Sequence, residues 1–179
     1  MIYRDRKLME IVNIVATGNL GEEINLNDLA LSLPDQFRYE PEMYHCGYLE
    51  VYEKSISIFS SGKYIMVGLK GRDEVKELFS KMIDIFDNLD IDINPNKPPT
   101  ISNMVVYEEI NQTINLNKLA IYFGLENVTY EPETFPGLIY RNNRTFNIYS
   151  TGKILSFGKD FDDIKKDLKE LKEELKNEL

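Results

Sequence analysis

Ser57-Ile58-Phe59-Ser60-Ser61-Gly62-Lys63-Tyr64-Ile65 decides the fold of this chain, because the same strand-turn-strand pattern occurs in it twice. The second copy, Asn147-Ile148-Tyr149-Ser150-Thr151-Gly152-Lys153-Ile154-Leu155, lies 90 positions later in a chain of 179 residues. Each copy alternates apolar and polar residues, breaks at Ser/Thr-Gly-Lys and resumes as an apolar strand. That pattern is typical of a hairpin with glycine in its turn. Two such hairpins half a chain apart predict a duplicated unit.

The other segments of the chain repeat in the same order. The first half predicts a strand at 11–17, a short helix at 24–31 capped by Asn25 or Asn27, and an antiparallel meander at 48–69. In the second half Ile24-Asn25-Leu26-Asn27 returns as Ile114-Asn115-Leu116-Asn117, and Tyr39-Glu40-Pro41-Glu42 returns unchanged as Tyr130-Glu131-Pro132-Glu133. We therefore predict an N-terminal repeat at 1–94 and a C-terminal repeat at 95–179.

Each half ends in a long helix with an apolar stripe along one side. The stripe of the first, at 71–89, is Val75, Leu78, Phe79, Met82, Ile83 and Phe86. That of the second, from about Asp160 onwards, is Ile164, Leu168, Leu171, Leu175 and Leu179. Both stripes must be buried on one face of an antiparallel sheet, which leaves its other face open. The predicted fold class is α+β, with two pseudo-symmetric repeats in one antiparallel sheet. A further short strand is expected at 91–93.

Period-two alternation assigns side chains to the open face of this sheet. If Ile56 and Ile58 face the helices, Phe59 faces away from them. The other residues assigned to the open face by the same rule are Ser57, Lys63, Ile65, Val67, Asn147, Tyr149, Lys153, Leu155 and Phe157. A large open face of aromatic and aliphatic side chains predicts an interaction surface.

Composition limits the class of protein. The net charge is −9, which taken alone argues against a nucleic-acid binder, although a local basic face is compatible with it. Residues 1–9 lack the apolar core of a signal peptide, and no apolar run approaches a membrane span. The single cysteine, Cys46, excludes an internal disulfide and fits a reducing compartment, so we expect a cytoplasmic protein.

Catalytic and metal-binding motifs are not found in the sequence. His45 is the only histidine and has only Cys46 beside it, which predicts no metal site. Neither Lys63 nor Lys153 is followed by Ser or Thr, so the Gly-Lys pairs are poor phosphate loops. We expect no enzyme activity and no cofactor.

Four motifs resemble the TATA-box-binding protein family, and specifically a divergent member of its archaeal type. They are Ile11-Val12-Asn13-Ile14-Val15-Ala16-Thr17, the two Tyr-Glu-Pro-Glu blocks, Phe59-Ser60-Ser61-Gly62-Lys63 and Phe135-Pro136-Gly137-Leu138-Ile139-Tyr140-Arg141. They occur in the family's order over nearly the whole chain. The resemblance implies a saddle-shaped antiparallel sheet of about ten strands, with its concave face on DNA and its helices on the convex face.

The resemblance also implies site residues. Asn13 and Asn103 would donate to minor-groove acceptors, and Val15 and Val105 would pack on the groove floor. The expected wedges between base steps are Tyr44 with Phe59 and Phe135 with Tyr149. The expected phosphate contacts are Lys63, Arg141 and Lys153, and alternation adds Ile65 and Leu155 to the DNA face. Glu131 and Glu133 match the acidic positions at which the family binds transcription factor B.

The function implied by the resemblance is that of a general transcription initiation factor. It would bind and bend AT-rich, TATA-like promoter DNA through the minor groove and recruit transcription factor B and the RNA polymerase machinery. It would act at the nucleoid as a monomer on DNA, with a weak homodimer off DNA left open. The alternative is a divergent paralogue that uses the same saddle as a protein-interaction module or regulator, with weak or no DNA binding.

Departures from the family pattern support that alternative. Glu50 occupies a position that is usually basic, and Tyr replaces Phe at two wedge positions. The turns at Glu53-Lys54 and Asn142-Asn143-Arg144 are shorter than the family's stirrups. These differences predict weaker or altered DNA recognition.

Overall fold

The structure, a computed structural model, describes residues 9–95 and 97–178. Its elements in chain order are β1 (Glu10–Asn19), α1 (Leu26–Ser32), β2 (Phe37–Arg38), β3 (Cys46–Val51), β4 (Lys54–Phe59), β5 (Lys63–Leu69), α2 (Arg72–Asn88), β6 (Thr100–Glu109), α3 (Leu116–Phe123), β7 (Val128–Thr129), β8 (Gly137–Arg141), β9 (Thr145–Tyr149), β10 (Lys153–Gly158) and α4 (Phe161–Glu178). The strand order is β2-β3-β4-β5-β1-β6-β10-β9-β8-β7. The described residues thus form the antiparallel, ten-stranded α+β arrangement that the sequence predicts.

The chain divides into two compact units. The N unit is Asn13–Ser102, and the C unit comprises the described residues before Asn13 together with those from Asn103 onwards. The repeat boundary at 94/95 remains a prediction.

The core of the N unit lies between its sheet and α2. The helix packs on β3 and β5 and buries the predicted stripe positions Val75, Leu78, Met82 and Phe86. Tyr64 of β5 is fully buried and stacks on Phe79, with ring centroids 5.9 Å apart. Gly18 makes this possible, because a Cβ at that position would overlap the Tyr64 ring.

The core of the C unit is formed in the same way by α4, which packs on β10. Its buried stripe is Ile164, Leu168, Leu171 and Leu175, and the predicted member Leu179 lies outside the described residues. The unit also contains an ion pair, in which Lys172 Nζ lies 3.2 Å from a carboxylate oxygen of Glu108. The Glu108 side chain is only 9% exposed, so this carboxylate depends on its partner.

Both repeated turns have the predicted geometry. Gly62 and Gly152 adopt φ values of 77° and 88°, which glycine reaches without strain. Their N–H groups donate to the carbonyls of Phe59 and Tyr149, each at 2.9 Å. A three-residue loop that ends in a left-handed glycine is a common hairpin connection with the right twist.

The short helix α1 begins at Leu26. Asn25 is its N-cap, because the Asn25 side-chain oxygen accepts from the N–H groups of Asn27 at 3.1 Å and Asp28 at 3.3 Å. Of the two caps that the sequence allowed, the structure selects Asn25.

The predicted strand at 91–93 is wrong. Asp90 adopts φ 52°, Ile91 N–H donates back to the Phe86 carbonyl at 3.1 Å, and Asp90 N–H donates to Asp87 at 3.1 Å. These two bonds form a Schellman ending of α2. The Ile91 N–H group is therefore occupied and cannot donate to a neighbouring strand. Asn94 N–H then donates to the Leu20 carbonyl at 2.7 Å.

Candidate nucleic-acid interface

The face of the N unit opposite its helices carries a row of half-buried side chains. In register across four strands, they are Tyr48, Ser57, Ile65 and Thr17. Asn13 and Val15 lie on the same face, because the alternating residues Ile14 and Ala16 are fully buried. Phe59 is half-buried beside the row, as the alternation predicts.

The C unit has an equivalent row. Its members in register are Ile139, Asn147, Leu155 and Tyr107. Asn103 and Val105 share this face, since Met104 and Val106 are buried on the other. Phe157 lies opposite Val105 and is half-buried. Each unit therefore brings its predicted asparagine and valine onto the face that carries its predicted aromatic residues.

The predicted aromatic pairs differ between the two units. Phe135 and Tyr149 are in contact, with ring centroids 5.9 Å apart at 58°. Tyr44, which is 42% exposed, instead meets Tyr48 edge-on at 5.6 Å. Within the described parts of the chain, no ring contact joins Tyr44 to Phe59. The C unit thus has a closed aromatic pair, and the N unit has two separate aromatic side chains.

A turn after each Tyr-Glu-Pro-Glu block places Tyr44 and Phe135. The Glu40 carbonyl accepts from Met43 N–H at 3.0 Å and Tyr44 N–H at 2.9 Å. In the C unit the Glu131 carbonyl accepts from Thr134 at 3.0 Å and Phe135 at 2.9 Å. The repeated block therefore has a structural function, since it fixes the backbone of an expected wedge residue in each unit.

The three predicted phosphate contacts are all exposed, but their surroundings differ. Lys63 lies opposite Asn19, whereas Lys153 lies opposite Glu109. Arg141 donates from its guanidinium to the Thr129 hydroxyl at 2.8 Å. Positive charge is therefore less opposed at Lys63 than at Lys153.

A carboxylate at the end of β6 accepts a hydrogen bond from a tyrosine side chain. Tyr107 Oη donates to a Glu109 carboxylate oxygen at 2.6 Å. Burial raises the pKa of Tyr107 to about 12, and the hydrogen bond to Glu109 and the charges of Glu109, Glu108 and Glu10 add to this effect. Tyr107 therefore stays a neutral hydrogen-bond donor to the Glu109 carboxylate on the open face.

Lys97 is a candidate site residue that no sequence motif indicates. An open groove of about 830 Å³ in the N unit is lined by Lys63, Phe59 and Ile65, and also by Lys97 and Pro98. The hydrogen bond from Asn94 to Leu20 anchors the connector that carries Lys97. No motif contains Lys97, so only the path of the connector indicates its position beside Lys63.

Glu131 and Glu133, the predicted partner-binding residues, are both exposed. The Glu131 carboxylate accepts from the Thr134 hydroxyl at 3.2 Å. Glu131 also lines a surface pocket of about 520 Å³ whose other wall is α3 and the loop after it. There Ile121 is 76% exposed and Leu125 is 74% exposed. No sequence motif indicated these two residues. The available signal was that each is an apolar residue outside the buried stripe of α3.

Comparison with known proteins identifies the family. The family model described as transcription factor TFIID (or TATA-binding protein, TBP) matches residues 8–89 and again residues 98–177. A TATA-box-binding protein of Picrophilus torridus is 35% identical over 153 residues, which cover 83% of each chain. One of Thermoplasma acidophilum is 33% identical over 177 residues, or 96% of each chain.

A solved structure agrees with these sequence matches. The chain is similar to Methanococcus jannaschii TBP with a TM-score of 0.82 and 31% identity, covering 94% of this chain and 98% of that one. This similarity confirms the fold class predicted from the sequence. The chain belongs to the TATA-binding protein family.

Proposed function

We propose that this chain acts as its family does, as a general transcription initiation factor, by binding and bending AT-rich promoter DNA through the minor groove. The observation that carries the proposal is the pair of open faces, each with an asparagine, a valine and two aromatic side chains on the side away from the helices. Open faces that carry several half-buried aromatic and aliphatic side chains favour a macromolecular partner over bare solvent.

The mechanism is non-catalytic, in keeping with a family of transcription factors rather than enzymes. Asn13 and Asn103 donate to the minor-groove acceptors that A·T and T·A pairs share. Water is excluded from the groove floor by four aliphatic side chains, Val15, Val105, Ile65 and Leu155. The aromatic residues wedge between base steps, a mode of binding for which TATA-binding proteins are themselves the standard example.

Wrapping and phosphate neutralisation offset the cost of unstacking. We assign phosphate contacts to Lys63, Arg141 and Lys153, and add Lys97 because it shares the groove with Lys63. Glu50, which is exposed, repels a phosphate at the position where the C unit has Arg141. With Lys97 counted, each unit has two of the proposed phosphate contacts, and in the N unit the Glu50 carboxylate opposes them.

Transcription factor B is the proposed protein partner. Glu131 and Glu133 supply negative charge, and Ile121 and Leu125 supply adjacent apolar surface. This combination fits a basic surface with apolar side chains. We propose that the protein binds nucleoid DNA as a monomer and that this surface then recruits the polymerase machinery through transcription factor B.

A gel-shift experiment at low salt tests the proposal on an AT-rich duplex with and without transcription factor B. We expect a shifted band, a slower one with the factor, and salt-sensitive affinity. Phe59→Ala and Phe135→Ala should each abolish bending, measured by energy transfer between the duplex ends. Leu31→Ala is the matched control, because Leu31 is an apolar residue on α1 that is 81% exposed. Absence of binding in both conditions would refute the proposal.

The alternative, a divergent paralogue that binds only proteins, is not favoured by the family assignment over both repeats. The observations that support this alternative are Glu50 and the short turns after β3 and β8. Co-purification of a protein partner together with no salt-sensitive DNA affinity would select it.

Within the described residues, no helix is long and apolar enough to cross a bilayer.

A further inference from the structure

Strand β5 has one residue more than its partner β1 at a single point. Ile14 lies opposite Leu69, but Ala16 lies opposite Met66, so Val67 and Gly68 together face one step of β1. Gly68 adopts φ 75°, the left-handed conformation of a bulge glycine. A bulge of this kind leaves the extra residue of β5 without a ladder partner on β1.

The bulge fixes the amide of Asn13. Gly68 N–H donates to Asn13 Oδ1 at 3.0 Å, and Lys54 Nζ donates to the Gly68 carbonyl at 2.5 Å. Lys54 lies 3.9 Å from the Glu74 carboxylate on α2, which helps to hold it. A backbone N–H can only donate, so Asn13 must turn its oxygen towards Gly68. The Asn13 NH₂ group is then left as a donor on the open face.

The C unit has no such arrangement. Strand β10 pairs with β6 in unbroken register, with Phe157 opposite Val105 and Gly158 opposite Met104. The cation equivalent to Lys54 is Arg144, which donates to the Phe157 carbonyl at 3.0 Å and to Asp167 at 2.7 Å. The Asn103 side chain makes no hydrogen bond to any described residue, so no neighbouring protein group fixes the orientation of its amide.

We propose that the two asparagines discriminate unequally between base pairs, because only Asn13 has a fixed amide. A·T and T·A pairs offer only acceptors in the minor groove, whereas guanine adds an N2 amino donor. Asn13 opposes that amino group with a second donor and rejects it. Asn103 turns its carbonyl towards the amino group and tolerates it. Asn13 is the specificity-determining residue, and Gly68 and Lys54 are positioning residues. This inference rests on the proposed function.

A palindromic duplex of A·T pairs provides the test, with binding measured by fluorescence anisotropy at low salt. Adenine is replaced by 2,6-diaminopurine, which adds the minor-groove amino group to an A·T pair, at one central position or at both symmetry-related positions. The protein can avoid a single replacement by binding in the reverse orientation, so we expect about a twofold loss of affinity. The double replacement forces Asn13 against an amino group, and we expect a loss of about tenfold or more.

Variants separate discrimination from folding. Asn13→Ala should remove the penalty of the double replacement, whereas the matched Asn103→Ala should keep it. Lys54→Met should reduce the penalty, whereas Arg144→Met, which changes the equivalent cation of the C unit, should leave it unchanged. The measured quantity is a ratio of affinities for two duplexes, so a variant that merely folds less well leaves it unaltered.

The failures are distinguishable. If the protein does not bind the unmodified duplex, the proposed function fails. If it binds, but the single replacement already costs about tenfold and the double replacement costs the product of two such losses, both asparagines discriminate equally and this inference is overturned. A double replacement with no penalty also overturns it.

Discussion

One strand position carries opposite chemistry in the two units. In the N unit it is Gly18, and the ring of Tyr64 fills the space above it. In the C unit it is Glu108, which faces Ile154 and pairs with Lys172 of α4. An aromatic ring and an ion pair thus fill the same layer between sheet and helix. The comparison shows that the duplication preserved the backbone plan but not the chemistry of the core, so the units should respond differently to equivalent substitutions.

The largest expected effect is in the C unit. Lys172→Met should lower the free energy of unfolding by about 3 kcal/mol, because it leaves the buried Glu108 carboxylate without its partner. Denaturant unfolding followed by circular dichroism measures it. The double variant Glu108→Gln/Lys172→Met should recover most of the loss, and a loss below about 1 kcal/mol for the single variant would contradict an essential ion pair.

The corresponding change in the N unit is Gly18→Ala. The new Cβ overlaps the Tyr64 ring, so we expect a loss of about 2 kcal/mol by the same measurement. Adding Tyr64→Ile gives the N unit the side chain that the C unit has at Ile154, and it should restore part of the stability. If Gly18→Ala alone is neutral, the ring is not confined as described.

Tyr64→Phe should stabilise the protein by about 1 kcal/mol, because the buried Tyr64 hydroxyl makes no hydrogen bond to the described residues. Burial raises the pKa of Tyr64 from its ordinary 10.0 to about 12. The folded state therefore holds this proton more tightly than the unfolded state, and stability should fall as pH rises from about 10 to about 12.

The same substitution should reduce that alkaline fall. It should not abolish it, because the pKa of Tyr107 in the C unit is also about 12. Unfolding curves of both proteins between pH 9 and pH 12 are the measurement. If the free energy of unfolding falls equally with pH in both proteins, the pKa of Tyr64 is not raised in the folded state.

The hairpin tips provide a smaller effect. Tyr52 and Glu53 form a two-residue loop with φ values of 49° and 61°, which side chains other than glycine adopt at a cost. Glu53→Gly should therefore raise the free energy of unfolding by about 0.5 kcal/mol. Asn143→Gly, in the three-residue tip of the C unit, is the control, because no left-handed residue occurs there and no gain is expected.

The smallest effect concerns the open faces. Glu109 lies opposite Lys153, whereas Lys63 faces the neutral Asn19. Glu109→Gln should strengthen DNA binding about twofold at low salt, the size expected for one exposed charge. Glu77→Gln on the exposed side of α2 should leave affinity unchanged. Equal effects of the two substitutions would mean that only net charge matters.

The fold was predictable because its signals are local and repeated. Alternation around Phe59 and Tyr149 assigned the open face, and the apolar stripe around Met82 assigned the buried side of α2. Both turns followed from Ser/Thr-Gly-Lys, because glycine there is a conformational requirement.

The remaining features depend on contacts that no pattern encodes. Glycines occur at both 68 and 158, yet only Gly68 forms a bulge, so the difference between Asn13 and Asn103 is hidden in an apparently equivalent sequence. The strand expected at 91–93 failed because apolar residues there resemble a strand, while the left-handed Asp90 returns the chain to α2. Lys97 was missed because its position depends on the path of the connector.

The turn glycines also affect the order of folding. The Gly62 carbonyl accepts from Leu20 N–H at 2.9 Å, beside a contact between Asn19 and Ser61 that spans 42 residues. The β4–β5 hairpin is local and can form early, whereas β1 must close a long loop before it reaches the turn. We expect the bonds between β1 and the turn to form after the transition state. Weakening them should therefore speed unfolding much more than it slows folding, so these bonds extend the lifetime of the native state.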